Sequence, residues 1–292
     1  EMIATAQTHK HAVVVGGGLL GLEAANGLML RGMSVTVVHL APWLMERQLD
    51  DVAGRMLQKS LEARGLKFRI GAQTQALIGD ADDGRSGRVK ALRFTDGTEE
   101  PADLVVMAAG IRPNTELAER IGLHCNRGIV VNDTMQTITD ARIYSIGECA
   151  AHRGIAYGLV APLFEQAKVC ATHLGEFGIG RYLGSQTSTK LKVTGIDLFS
   201  AGDFMGGEGC EEIVLSDPYN SVYKKLIVRD DILVGACLYG DTADGSWYFD
   251  MVREKKNVAA IRDSLMFGEA HLGDTGHAGN SKASTMPDTA EV

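Results

Sequence analysis

Residues 12–25 read AVVVGGGLLGLEAA, an apolar β-branched run that passes into spaced glycines and then into an apolar helical pattern. Gly16, Gly18 and Gly21 give the spacing G-x-G-x-x-G, which is typical of the first turn of a dinucleotide-binding βαβ unit. The first glycine permits the tight bend, the second lets the backbone approach a pyrophosphate, and the third lets helix and strand pack closely. A tight structural turn without a ligand is the alternative. The flanking strand and helix patterns favour the nucleotide site.

The alternation of strand and helix patterns continues on the carboxyl side of this turn. Its members are strand 35–38, helix 50–64 closed by Gly65, strand 67–70, a ribbon strand 89–94 before an Asp96-Gly97 turn, and strand 104–108. This order predicts a Rossmann-like, doubly wound α/β domain in residues 1–124.

Three further segments follow in the sequence. Residues 125–184 predict strands 129–131 and 142–146 and a helix 162–174 closed by Gly175. Residues 185–267 predict a small α+β domain with strands 191–193 and 212–215, a hairpin of 222–228 and 232–239 turning at Asp230-Asp231, and helices 247–254 and 258–266. Residues 268–292 are rich in small and polar residues and predict a flexible tail or linker.

Charge and hydropathy argue against several classes of partner. The 292 residues carry a formal net charge of -8, so we expect no nucleic-acid partner, because no basic face is evident to neutralise phosphates. No apolar run approaches the roughly 20 residues of a membrane-spanning helix, so we expect no membrane partner. The start of the chain lacks a signal-peptide pattern, and we expect a cytoplasmic protein.

The cysteines and histidines give no metal or disulfide pattern. The cysteines lie far apart, without a C-x-x-C pair, and we expect all of them to be small buried hydrophobes in a reducing compartment: Cys125, Cys149, Cys170, Cys210 and Cys237. The histidines lack metal-ligand spacing, so no metal site is predicted.

Three motifs in this order resemble the pyridine-nucleotide-dependent flavoprotein oxidoreductases. They are the glycine turn at residues 16–21, the stretch AGIRPN at 109–114 and the stretch IYSIGECA at 143–150. The resemblance implies that the first motif binds NAD(P)H, that the second closes that domain, and that the third belongs to an FAD-binding domain. The domains would then be 1–124 for NAD(P)H, 125–184 for the second segment of the FAD domain and 185–267 for an α+β interface domain.

Within this family the chain is most similar to the large subunits of assimilatory NAD(P)H-dependent nitrite reductases. The similarity rests on VHLAPWLMERQLD at 38–50, TKLKVTGID at 189–197, WYF at 247–249 and FGEAHLG at 267–273. Those subunits also have an earlier glycine unit for FAD and later iron–sulfur and sirohaem parts. Neither is present in this sequence, and a fragment is the simplest account.

The resemblance assigns residues to an NAD(P)H site. They are the three glycines with Leu19 and Leu20 at the helix start, Glu23 near the nicotinamide, and Gly110. Glu23 has a second interpretation, as an acid that stabilises the helix dipole. His39 stands about 20 residues beyond the first glycine, where an acidic residue normally binds the NAD ribose. Without that carboxylate we expect either NADH or NADPH to be used. Arg47 either assists a 2′-phosphate or is a solvated charge.

The resemblance also assigns part of an FAD site. Gly147 and Glu148 would lie at the ribityl chain, with Glu148 where Asp is more usual, although a solvated carboxylate is the alternative. Ala161, Pro162 and Leu163 would lie at the pyrimidine end of the flavin, where a helix start stabilises negative charge. An ordinary proline-initiated helix is the other interpretation.

The function implied by the resemblance is an electron-entry module. Hydride would pass from NAD(P)H to FAD, and single electrons would then pass to iron–sulfur and sirohaem centres in another part or subunit that reduces nitrite to ammonia. No side chain is assigned as catalytic, because the cofactors carry the chemistry. Trp247, Tyr248 and Phe249 would form core or a homodimer contact. The alternatives are a ferredoxin- or rubredoxin-type reductase, the electron-transfer subunit of nitrate reductase, and an inactive nucleotide-binding fragment.

Overall fold

The computed structural model describes residues 2–81, 87–176, 178 and 180–272. The residues group into two units, Glu1–Gly195 and Ile196–Val292. Each unit is described by itself below.

The first unit alternates strands and helices as far as its third strand and then contains a run of strands. In chain order its elements are α1 (Met2–Thr8), β1 (His11–Val15), α2 (Leu19–Met29), β2 (Ser34–His39), α3 (Asp51–Glu62), β3 (Lys67–Ile70), β4 (Thr74–Gly79), β5 (Val89–Phe94), β6 (Glu99–Pro101), β7 (Leu104–Met107), α4 (Glu116–Arg120), β8 (Ile129–Val131), β9 (Ala150–His152), α5 (Val160–Leu174) and β10 (Ser188–Val193).

A parallel sheet in the order β3-β2-β1-β7 forms the framework of this unit. β1 is its central strand and is paired on both sides, with Ala12 opposite Val35 on β2 and Leu104 on β7. Val13 and Val14 are fully buried in it. A central strand that is covered on both faces needs a continuous apolar run, and that is what the sequence provides. The predicted Rossmann-like α/β fold is confirmed.

The two helices that were predicted beside this sheet both form. α2 buries Leu22, Ala25 and Leu28 on one face, which is the helical spacing of its apolar residues. α3 begins after Asp50, whose carboxylate accepts a hydrogen bond from the Ala53 amide and so caps the helix. Its last residue is Glu62, two residues short of the predicted end.

The predicted strand 142–146 is wrong. Only Tyr144 forms a bridge there, to Gln136, and the neighbouring Ser145 amide bonds to the Met135 carbonyl within the same looped segment. A strand requires an adjacent strand that continues the ladder, and in the described structure this segment turns back on residues 135–137 instead. The parallel partner of β8 is β9, which pairs Ile129 with Ala150.

Helix α5 begins at Val160, two residues before the predicted Pro162, and Gly175 caps its end. Pro162 therefore lies within the first helical turn, where its missing N–H leaves no intrahelical bond unmade. Pro162, Gln166 and Cys170 are buried and lie four residues apart, on one face of the helix.

The second unit is built on an antiparallel sheet. Its elements are β11 (Ile196–Gly202), β12 (Glu211–Asp217), β13 (Val222–Arg229), β14 (Ile232–Tyr239), α6 (Gly245–Glu254) and short 3-10 turns at Ala259–Ile261, Leu265–Phe267 and Glu269–His271. The strands of this unit pair in the order β11-β14-β13-β12. The predicted hairpin is confirmed: Asp230 and Asp231 both have positive φ, which a two-residue turn of type I′ requires.

The predicted helix 258–266 is wrong, because this segment forms two 3-10 turns. Its backbone bonds span three residues, as from the Ile261 amide to the Val258 carbonyl. Val258, Leu265 and Met266 are buried in the core of the unit, and the Tyr248 hydroxyl donates to the Leu265 carbonyl. These contacts hold the backbone in short turns.

The predicted tail lies mostly outside the described residues. Of the predicted tail 268–292, residues 269–271 form a 3-10 turn, and residues 273–292 lie outside the description. The described helices include none with the length and apolarity of a membrane-spanning segment.

Candidate functional site

The glycine turn joins the carboxyl end of β1 to α2. Gly16 has a φ of 119°, a conformation that side chains disfavour, and a Cβ there would overlap the Ala108 carbonyl after β7. The Gly16 amide also donates to the Val38 carbonyl at 2.8 Å. Gly16 is therefore fixed between the ends of three adjacent strands.

The other two glycines of the motif have opposite surroundings. A Cβ on Gly21 would overlap the Gly16 carbonyl oxygen, because α2 starts close against the end of β1. A Cβ on Gly18 would meet no protein atom within 4 Å. Gly21 is thus required by packing, whereas Gly18 leaves open space beside the helix start.

The start of α2 fits an anionic group. Gly18 is the N-cap residue and provides no side-chain hydrogen bond to the first turn. The amides of Leu19, Leu20 and Gly21 therefore point their N–H groups at the space beside Gly18. The helix dipole adds partial positive charge at this end. These residues fit the diphosphate of a dinucleotide.

The remaining predicted nucleotide residues lie on two sides of this turn. Glu23 is exposed on α2, while its neighbour Leu22 faces the sheet. Gly110 follows β7 with a φ of 92°, and a Cβ there would meet no protein atom within 4 Å. Because parallel neighbours end at one edge, Gly110 and the glycine turn share the carboxyl edge of the sheet.

His39 ends β2 at the same edge and is 8% exposed. Its Nδ1 accepts a hydrogen bond from the Gly17 amide at 3.0 Å, and its Nε2 lies 3.1 Å from Glu46 Oε2. The Met45 amide donates to the Gly17 carbonyl at 3.1 Å, so the loop after β2 folds back onto the glycine turn. The residue that this loop brings to His39 is Glu46, and Arg47 is exposed beside it.

Sequence reasoning missed Glu46. It lies in an irregular loop, seven residues after His39, so no strand or helix period relates the two positions. The signal that was present is the buried pair Leu44 and Met45, which are completely inaccessible and anchor the loop against the turn.

The predicted FAD residues form a second cluster. Gly147 has a φ of 90° and Glu148 is exposed beside it. The Gly147 amide donates at 3.0 Å to Oε1 of Gln166, which is fully buried on α5. Ala161 is exposed in the first turn of the same helix. Gln166 therefore joins the loop that carries Glu148 to the helix start predicted for the flavin.

Two features of this cluster fit the polar parts of a flavin nucleotide. The N-cap residue of α5, Leu159, makes no side-chain cap bond, so the first-turn N–H groups of Val160 and Ala161 are available to an acceptor. Leu163 lies four residues after Leu159, so its amide belongs to the hydrogen-bond ladder of the helix. A Cβ on Gly147 would meet no protein atom within 4 Å, which leaves room next to Glu148. Gln166 was not predicted, although a glutamine on the buried face of an apolar helix is an unusual enough pattern to have indicated a role.

A buried polar network supports β9 behind this cluster. His152 is 1% exposed, and its Nε2 lies 2.9 Å from Asp133 Oδ1. Arg153 bonds both oxygens of the same carboxylate. Two hydrogen bonds, the stronger effect coming from Arg153 and the weaker from His152, hold the pKa of Asp133 below its usual value. Tyr182 packs on the His152 ring, and burial raises the pKa of Tyr182 to about 12.

The cysteine prediction is partly confirmed. All five cysteines are free, and Cys170 and Cys237 are buried. Cys125, Cys149 and Cys210 are only half-buried, which corrects the expectation for those three. No three His, Cys, Asp or Glu side chains within the described ranges come together in a way that could hold a metal ion.

Comparison with protein families gives two matches. Residues 1–173 match the family described as Pyridine nucleotide-disulphide oxidoreductase. Residues 188–256 match the Rubredoxin NAD+ reductase C-terminal domain.

Curated relatives and solved structures agree with these matches. The chain is 52% identical to a nitrite reductase [NAD(P)H] of Bacillus subtilis over 88% of its length, and 43% identical to an assimilatory nitrate reductase electron transfer subunit of that organism over 89%. It spans 31% and 33% of those two proteins, about a third of each. A putidaredoxin reductase, solved as a covalent complex with putidaredoxin, superimposes with a TM-score of 0.74 at 25% identity, covering 90% of this chain and 62% of that one.

Proposed function

The chain belongs to the pyridine nucleotide-disulphide oxidoreductase family, and on that premise we propose that it forms the NAD(P)H-binding part of an FAD-dependent electron-entry module of a nitrite reductase. The observation that carries the proposal is the open space beside Gly18, at an uncapped helix start held by Gly16 and Gly21. Those residues fit a dinucleotide diphosphate, as set out above.

The chain's own residues bind and orient the two cofactors. The amides of Leu19 to Gly21 hold the NAD(P)H diphosphate, while Glu23 and Gly110 border the path toward the nicotinamide. Gly147, Glu148 and the first turn of α5 hold part of FAD. When bound, the flavin accepts hydride and can release electrons singly. The chain's residues position the rings and exclude water between them.

The acceptor side of the proposal rests on the relatives. The 52% identity to a nitrite reductase supports nitrite as the substrate. It also supports iron–sulfur and sirohaem centres, in another part or subunit, as the electron acceptors. An electron-transfer subunit of nitrate reductase is a second candidate, supported by the 43% identical relative. A rubredoxin- or ferredoxin-type reductase is a third, because residues 188–256 match a domain of rubredoxin reductases.

We also propose a domain division, a homodimer contact and a cellular location for the chain. The domain limits 1–124, 125–184 and 185–267 are retained as the functional division of the chain. A homodimer through the third domain is retained as well; Tyr248 is fully buried in the core there, and Trp247 and Phe249 pack against that core. A cytoplasmic location is supported by the five free thiols, which suit a reducing compartment.

Titration of the purified chain with NADH and NADPH, followed by addition of FAD, tests the proposal. We expect saturable nucleotide binding, and bleaching of the visible absorbance of added flavin when nucleotide and chain are both present. An assay of the full-length protein with different final electron acceptors separates the three candidates. The acceptors to compare are nitrite, nitrate reductase and rubredoxin. Saturable binding without flavin bleaching would support the inactive-fragment alternative. A chain that binds neither nucleotide would overturn the proposal.

A further inference from the structure

The corner at the end of β2 carries a carboxylate that reaches it from the following loop. In dinucleotide-binding folds, an acidic residue at the end of the second strand accepts a hydrogen bond from the adenine ribose at this corner. Here His39 ends that strand, and Glu46 lies against it with 3.1 Å between Nε2 and Oε2. The corner therefore has an acid, supplied seven residues later in the chain.

The hydrogen bonds of His39 fix its tautomer. Nδ1 accepts from the Gly17 amide at 3.0 Å, and a nitrogen that accepts a hydrogen bond carries no proton. The ring proton is therefore on Nε2, which donates it to Glu46. Both ring nitrogens of His39 are engaged, so the imidazole itself has no donor to offer a ligand.

The exposed charge at this corner is negative. The Glu46 side chain is 35% exposed, whereas that of His39 is 9% exposed. Within the described part of the chain, the structure records no partner for the Glu46 carboxylate besides His39. Arg47 is exposed, and none of the ion pairs recorded among the described residues joins it to Glu46.

We propose that Glu46, oriented by His39, makes the site select NADH over NADPH. The carboxylate accepts a hydrogen bond from the 2′-hydroxyl of the NADH adenine ribose and repels the 2′-phosphate of NADPH. This inference rests on the proposed function, because it requires a pyridine nucleotide at the glycine turn. It replaces the expectation, drawn from His39 alone, that either nucleotide is used.

The direct test is Glu46→Gln in the full chain, with Kd for NADH and NADPH measured by calorimetry. Glutamine keeps the shape and a hydrogen-bonding oxygen but removes the charge. We expect the wild-type chain to bind NADH more tightly than NADPH. In the variant the ratio of the two Kd values should fall about tenfold, chiefly because NADPH binds more tightly. Glu62→Gln, at the exposed end of α3, makes the same change of charge away from the corner and should leave both Kd values unchanged.

A second variant tests the positioning role of His39. His39→Asn keeps an acceptor near the position of Nδ1 for the Gly17 amide, but its side chain is too short to reach Glu46. We expect a partial loss of NADH preference with little change in NADPH affinity, because Glu46 is kept but no longer oriented. A thermal unfolding curve like that of the wild-type chain shows that the turn is intact.

The outcomes separate this inference from the proposed function. Equal affinity of the wild-type chain for NADH and NADPH would overturn the inference, and so would a Glu46→Gln variant that behaves like Glu62→Gln. In both cases nucleotide binding itself remains. A wild-type chain that binds neither nucleotide would overturn the proposed function, and the inference with it.

Discussion

Gly18 and Gly21 stand three residues apart in one turn, yet an added methyl group would meet very different surroundings at the two positions. At Gly21 it would overlap the Gly16 carbonyl, whereas at Gly18 it would meet only open space. Gly18 also has an extended backbone, with φ −84° and ψ −179°, that any residue adopts. The fold therefore requires a glycine at 21, whereas at 18 a glycine suits the N-cap position and leaves room for a ligand.

Gly18→Ala and Gly21→Ala should separate binding from stability. We expect Gly18→Ala to lower the free energy of unfolding by less than about 1 kcal/mol, because alanine is a poorer N-cap residue than glycine. It should weaken NADH binding by about tenfold or more, because the methyl group occupies the diphosphate space. Gly21→Ala should cost about 1–3 kcal/mol of stability through overpacking. Urea unfolding and calorimetric titration measure the two effects.

Gly27→Ala is the matched control for this pair. Gly27 lies inside α2, and a Cβ there would lie 3.9 Å from its nearest neighbour, the Arg31 side chain. Alanine should stabilise the helix by up to about 1 kcal/mol and leave NADH binding unchanged. A Gly18→Ala variant with wild-type affinity would show that no diphosphate approaches this turn.

Among the structural elements, α5 connects the two parts of the proposed flavin site. Gln166 on its buried face accepts the Gly147 hydrogen bond, and the first turn of the helix holds Ala161 and Pro162. Displacing this one side chain would therefore alter the position of Glu148 relative to the helix start.

Gln166→Leu should weaken FAD binding by the full-length protein. Leucine leaves the half-buried Gly147 amide without its acceptor, which costs about 1 kcal/mol of stability and frees the Glu148 loop. We expect the Kd for FAD to rise about tenfold, measured by flavin fluorescence. Gln58→Leu, on the exposed face of α3, is the matched control and should leave the Kd unchanged. Equal Kd values for the two variants would contradict a positioning role.

Strand β13 buries the charged residue Lys224 in the second unit. Its side chain is 8% exposed and its Nζ lies 2.7 Å from Asp241 Oδ2 and 3.7 Å from Asp244 Oδ2. A buried ammonium group is tolerated when it is paired, and its removal leaves the two acids without the cation that they face.

Lys224→Met should destabilise the chain by about 2 kcal/mol, less than a fully buried pair would cost, because Asp241 is 44% exposed. Lys256→Met breaks an exposed pair with Glu254 and should cost less than about 1 kcal/mol. Urea unfolding of both variants gives the comparison. A Lys224→Met variant as stable as Lys256→Met would show that the buried pair contributes nothing.

The elements that the sequence predicted correctly are those with a local cause. The β-branched run of β1, the amphipathic face of α3 and the Asp230-Asp231 turn each follow from neighbouring residues. The strand predicted at 142–146 failed because pairing partners are not encoded locally. The helix predicted at 258–266 failed because the core contacts of Val258 and Leu265 overrode the helical pattern.

The candidate site shows the same limit. The three glycines and the strand end at His39 were predictable, since a spacing motif fixes them. Glu46 and Gln166 were not, because each reaches its partner through the folded structure: one through an irregular loop, the other across a helix face.

At the scale of the whole molecule, aspartates with lowered pKa values make the stability of the fold sensitive to acid. In the part of the chain that the structure describes, six of them accept hydrogen bonds that lower their pKa values below the ordinary 3.8: Asp96, Asp103, Asp133, Asp140, Asp217 and Asp241. They belong to both units. The largest shift is that of Asp140, whose pKa its bonds to Arg142 lower to about 2.

We therefore expect the free energy of unfolding to fall as the pH drops from about 4 towards 2. A carboxyl group whose pKa is lower in the folded state stabilises the fold above its unfolded pKa, and this contribution is lost as the pH falls through the folded value. Urea unfolding over this range measures the effect, and Asp140→Asn should reduce its slope. A free energy that stays constant over this range would contradict the prediction.

The bonds around the glycine turn have a kinetic consequence. The amides of Gly16, Gly17 and Met45 and the ring of His39 already hold this backbone in place. The conformational entropy of this turn is thus lost during folding and not on binding, so the dinucleotide binds to a preorganised backbone. Association should therefore proceed without a slow rearrangement step, and differences in affinity between nucleotides should lie in how fast each one leaves.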